Sequence, residues 1–147
     1  MTTSRQENIR RERVKLVEAL LSRSADTSVR ADVALEWRAV EHRGNADAVG
    51  QGAVDLRVCA EATLNALHEL LGGRVHFRLM GVKSVKAFDD SVAIVALSVQ
   101  EHDTLGADHR LIGTASAADR ELAEGVARAI LNATNRVLEN FLPPASG

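Results

Sequence analysis

The sequence contains no tyrosine, one tryptophan (Trp37) and three phenylalanines, so aromatics make up 3% of its 147 residues. Its core must therefore be aliphatic, and it has almost nothing on which nucleic-acid bases could stack. Cysteine occurs once, at Cys59, which excludes an intrachain disulfide and fits a reducing compartment. Neither sign of charge dominates: 18 Lys and Arg face 20 Asp and Glu, for a net charge of −2 and a pI of about 6.2. That balance removes the global electrostatic basis for binding nucleic acid or an anionic membrane. No apolar run approaches the roughly 20 residues that cross a bilayer. The first residues carry no apolar signal core. These absences point to a cytoplasmic protein with no membrane and no nucleic-acid partner.

What is present suits a globular chain: 46% hydrophobic and 26% charged residues, enough length for one domain with a real core. Residues 4–22 read as a helix with a narrow stripe of Ile9, Leu16, Val17, Leu20 and Leu21 among basic neighbours. This defines an N-terminal amphipathic helix over 1–23, which offers a surface for a protein partner. The mixture of Glu7, Glu12 and Glu18 with its arginines favours an ordinary charged helix over a nucleic-acid arm. Residues 24–31 are polar and aperiodic, as in a linker.

An α+β domain is expected over 32–142, with a tail at 143–147. Val33, Leu35, Trp37 and Ala39 alternate as in a half-buried strand, Arg43-Gly44-Asn45 reads as a turn, and a second strand follows at 46–53. Residues 55–71 form an amphipathic helix closed by Gly72-Gly73. Three strands are expected next. Val75, Phe77 and Leu79 alternate until Gly81 interrupts them like a bulge. Phe88-Asp89-Asp90-Ser91 is a turn, 92–99 is apolar on both faces like a central strand, and 110–115 is short. A last helix spans 117–141, with Ser116 as cap, Asp119 in the first turn and Pro143-Pro144 as stop.

The two helices resemble each other. Ala62-Thr-Leu-Asn-Ala-Leu-His-Glu-Leu-Leu71 aligns with Ala129-Ile-Leu-Asn-Ala-Thr-Asn-Arg-Val-Leu138 at an offset of 67 residues, with Ala, Leu, Asn, Ala and Leu in common. Ala- and Leu-rich amphipathic helices align easily, but the shared Asn65 and Asn132 favour duplication. A duplicated strand-helix unit, ββα-βββα, would pack as a two-layer sandwich with one sheet and both helices on one face.

These residues bring a family into view. Val49-Gly-Gln-Gly-Ala-Val-Asp55, Leu111-Ile-Gly-Thr-Ala-Ser-Ala-Ala-Asp119 and Ala129-Ile-Leu-Asn-Ala-Thr-Asn-Arg136 resemble the C-terminal regulatory domain of 2-isopropylmalate synthase and its relatives, over about residues 33–138. The resemblance implies a duplicated module that dimerises and binds an amino acid. Ala115 stands where the family usually has a second glycine. The catalytic barrel that precedes the domain in that family is not among these residues, so the resemblance implies regulation without acyl-transfer chemistry.

Candidate chemistry is sparse. His102-Asp103 and Asp108-His109 flank one loop near Glu101, but without a cysteine or a helical histidine pair they suit a solvated loop better than a metal. Cys59 suits packing better than nucleophilic attack. Asp89-Asp90 suits a hairpin turn better than paired catalytic carboxylates. Gly50-Gln-Gly-Ala53 lacks the Lys-Ser/Thr ending of a phosphate loop, yet a small anion can sit at a helix start. The expected function is thus a non-enzymatic homodimeric regulatory module without cofactor or metal. It would bind a small polar ligand such as an amino acid, or a partner protein. The ligand would lie at Gly50 and Gly52 and at Gly113, Ala115, Ser116, Ala117 and Asp119. The rival is a self-assembling scaffold with no small-molecule ligand.

Overall fold

A computed structural model describes residues 13–101, 109–117 and 122–142. Its elements are β1 (Lys15–Arg23), β2 (Ser28–Trp37), β3 (Val40–Val49), α1 (Ala53–Leu71), β4 (Val75–Ala87), β5 (Asp90–Glu101), β6 (His109–Ser116) and α2 (Leu122–Phe141). The class is α+β, with two three-stranded antiparallel sheets, β1-β2-β3 and β4-β5-β6, rather than the expected one.

The N-terminal reading needs correction. Residues 15–23 are not helical; they form β1, paired antiparallel with β2. Ala19 and Leu21 turn inward opposite Val33 and Ala31, while Leu20 and Ser22 lie on the other face. A stripe of Leu16, Val17, Leu20 and Leu21 fits helical spacing, but a bulge between Leu16 and Glu18 lets a strand bury Leu16, Ala19 and Leu21 instead. The expected helical residues 4–12 lie outside the described residues. The linker shrinks to the turn before Ser28, since β2 takes the rest.

The first hairpin is also placed differently. Its turn is Arg38-Ala39, with φ of 54° and 66°, the paired left-handed conformation that twists a two-residue hairpin correctly. Gly44 lies in mid-strand, opposite Val33. In the second sheet the turn does fall at Phe88-Asp89, with φ of 55° and 66°. The irregularity near Gly81 is a register shift between Leu79 and Gly81. β5 is the central strand, burying Ala93, Val95, Leu97 and Val99.

Helix α1 ends where Gly72 takes φ 63° and its N–H donates to the His68 carbonyl at 3.0 Å. It packs on β2 and β3 and also reaches β4; α2 packs on β5 and β6 and also reaches β1. Each helix therefore touches both sheets, and the helices touch each other. Burying so much of their circumference needs small residues, and Ala60, Ala62, Ala66, Ala127 and Ala129 are all fully buried. Both third strands pass their helix through a glycine. Gly44 faces Ala62 and Ala66, and Gly113 faces Ala129 and Ala133. Beside each, an asparagine ties helix to strand: Asn65 Nδ2 donates to the Asn45 carbonyl and Asn132 Nδ2 to that of Thr114, both at 2.8 Å.

Candidate functional site

The residues expected at the site do not converge. Gly50 and Gly52 form the β3–α1 connection with φ of 136° and 76°. Their polar groups are already engaged. The Gly50 N–H donates to Thr27 O at 3.0 Å, its carbonyl accepts Arg23 Nη1 at 2.8 Å, and the Gly52 carbonyl accepts the Asp55 N–H at 3.0 Å. Asp55, itself paired with Arg23, supplies the negative charge that the first turn of α1 favours. Gly113 lies against the α2 backbone, where a Cβ would come closer than 3.0 Å to Ala129 and Ala133. It is a packing glycine with no open space above it. The Ala117 N–H donates to Ser91 O at 2.8 Å. Ser116 ends β6 instead of capping the helix, and Asp119 lies outside the described residues.

Ala115 and Ser116 do line a cleft, of about 650 Å³, between the start of β1, the end of β6 and one face of α2. Its floor is Val14, Leu16 and Leu131, and its polar rim includes Asn132, Asn135 and Ser116. Arg13, Lys15 and Arg128 supply three positive charges. Among the described residues none of the three meets a carboxylate at ion-pair distance, and no Asp or Glu lines the cleft. β1 brings Arg13 and Lys15 here by crossing from the first sheet to α2, a contact that helical spacing over 4–22 concealed. Arg128 and Asn135 each lie about one helical turn from Asn132, on either side of it along α2. The one visible hint was Asn132, a polar residue shared between the aligned helices.

A second cleft, of about 250 Å³, lies between α1 and β4, with Glu61, Asn65, His68 and His76 around Leu64, Phe77 and Leu79. His68 and His76 stack with ring centroids 4.4 Å apart. The Phe77 N–H donates to His68 Nε2 at 3.0 Å, which requires that nitrogen to be unprotonated. Burial, and then the neighbouring His76, lower the His68 pKa below the usual imidazole value.

Other titratable groups are structural. Cys59 is fully buried, and burial followed by the nearby Asp55 charge pushes its thiol up to about 12. His42 Nδ1 meets Glu69 Oε1 at 2.9 Å, linking β3 to α1. Among the described residues no group of three or more His, Cys, Asp or Glu is placed to hold a metal ion, and no helix is long and apolar enough to cross a membrane.

No protein-family model matches the chain, and none of the curated proteins compared with it does.

Proposed function

We propose that this chain is a non-enzymatic regulatory module, built from two copies of one βββα unit, that binds a small polar ligand and acts as a homodimer. The observation that carries the ligand reading is the cleft between β1, β6 and α2, which joins Ala115 and Ser116 to amide side chains and to three cations that meet no carboxylate among the described residues, above an apolar floor. Ligand sites commonly combine such a floor with a few convergent polar groups. The matched glycines Gly44 and Gly113, the matched asparagines Asn65 and Asn132, and the matched irregularities after Leu16 and Leu79 support duplication. Duplication in turn supports the resemblance to the 2-isopropylmalate synthase regulatory domain, for which an amino acid is the implied ligand. Burial of the chain's one thiol supports a role without covalent catalysis.

The outer sheet faces support the homodimer. On the first sheet this face carries an ion-pair lattice: Arg30 with Asp32 and Asp47, and Arg43 with Glu41 and Glu18, at 2.6–3.9 Å. On the second sheet the corresponding face carries an apolar strip of Val85, Val92, Ile94, Ala96 and Ile112, with Lys83 and Thr114 on either side of Ile94, and Ile112 is 65% exposed. A two-fold contact between copies would bury such a strip against itself.

A thermal-shift panel of amino acids, 2-oxo acids and nucleotides tests the ligand reading, run on wild type and on Ala115→Trp, which obstructs the cleft. A compound that raises the wild-type midpoint by several degrees but leaves the variant unmoved supports it. No shift with any compound favours the scaffold alternative. Light scattering tests the dimer: wild type should have twice the monomer mass, and Ile94→Lys with Ile112→Glu should halve it. A monomeric wild type rejects the homodimer.

A further inference from the structure

The two clefts occupy one and the same place in the two halves. Glu61, Asn65 and His68 of α1 precede Arg128, Asn132 and Asn135 of α2 by 67 residues each. His76, Phe77 and Leu79 follow Arg13, Val14 and Leu16 by 63 residues each. In both, the helix of one half meets the edge strand of the other. The chemistry has moved in opposite directions. Arg128 faces one cleft where Glu61 faces the other, and Arg13 stands where the other has His76. Phe77 and the stacked imidazoles take up room that Val14 and Asn135 leave open, so the volumes are about 250 and 650 Å³.

We infer that the cleft of Arg13, Lys15 and Arg128 is a site for a small dianion, an organic dicarboxylate or a phosphate ester, and that its counterpart beside α1 is not. This rests on the reading of that cleft as the ligand site and departs from the amino acid that the resemblance implies. Three cations with no carboxylate among the described lining residues attract double negative charge and offer an α-ammonium group no opposite charge. Ser116, Asn135 and the second amide hydrogen of Asn132 can complete the anion's hydrogen bonds, since the first is held by Thr114 O. The fold alone does not impose this polarity, because the paired cleft is built from equivalent helix and strand positions and carries Glu61 and a neutral His68. The positive charge is therefore a property of this cleft's side chains.

Isothermal titration calorimetry at fixed ionic strength tests the inference, with inorganic phosphate, succinate and leucine as probes. Wild type should bind phosphate or succinate at one site per chain, the tighter of the two naming the kind of dianion, and leucine should give no heat. Arg128→Glu should weaken the anion at least about tenfold, as loss of a charged hydrogen-bond partner does. Arg128→Gln should show a smaller loss, and His68→Gln none. Thermal melting confirms that each variant is folded. Leucine binding without either anion overturns the dianion and keeps the ligand-binding module. Anion binding that Arg128→Glu leaves unchanged places the anion elsewhere and overturns the assignment. Silence with all three probes overturns both.

Discussion

Gly44 of β3 lies directly against Ala66 of α1, so close that a Cβ on the glycine would overlap the helix backbone. Backbone cannot swing aside as a side chain can, so strand and helix must separate to admit a methyl group. Gly44→Ala should destabilise the fold by about 1–3 kcal/mol, read as a lower urea midpoint. Gly113→Ala, against Ala129 and Ala133, should cost about the same. Gly81→Ala is the control, with nothing within 4 Å of its Cβ position, and should change stability by less than about 0.5 kcal/mol.

The inward and outward faces of β1 make opposite predictions for adjacent residues. Ala19 is 7% exposed and Leu20 is 47% exposed. Ala19→Lys buries an unpaired charge and should cost at least about 2 kcal/mol, whereas Leu20→Lys should stay within about 0.5 kcal/mol. An amphipathic helix with Leu20 in its stripe would give the reverse order in the same denaturation experiment.

His68 makes stability depend on pH in a defined direction. Its folded pKa lies below the ordinary imidazole value because of burial and then the neighbouring His76 ring. The unfolded chain therefore binds the proton more readily. The contribution is fully present above about pH 6.5, is lost as pH falls through that value, and levels off below the folded pKa. The other groups facing this ring are Glu61 on α1 and His76 on β4. Urea midpoints should drop between pH 7.5 and 5.5, and His68→Gln should flatten that drop.

Cys59 reports on opening of the core. With no exposed surface and a thiol pushed up to about 12, it should resist a disulfide reagent at pH 8 in the native protein and react fully in 6 M urea. Rapid native labelling would show that α1 lifts from its sheet.

Legibility in the sequence followed the strength of local signals. Helix α1 was visible because its apolar stripe ends at two glycines, and the second hairpin because Phe88-Asp89-Asp90-Ser91 is a turn signal directly before the apolar run 92–99. The first hairpin misled because its turn, Arg38-Ala39, has neither Gly nor Asn, while Gly44 resembles a turn residue and serves packing. Residues 15–23 misled because a bulge shifts strand alternation onto near-helical spacing. Of the candidate site, Ala115 and Ser116 were found through the small-residue run of the resemblance. Arg13, Lys15 and Arg128 were not, because no local pattern reveals that residue 13 meets residue 128; only the crossing of α2 onto β1 does so.

That crossing has a consequence for how the protein comes into being. During synthesis β1 leaves the ribosome first, and the helix that shields Val14 and Leu16 emerges more than a hundred residues later. At typical elongation rates of about 5–20 residues per second, the nascent first half spends several seconds with that edge uncovered. Its own helix is already present then and lacks β4 and α2 as neighbours. The interval is the one in which a chaperone, or a second nascent chain, has access to the strand that will become the wall of the cleft.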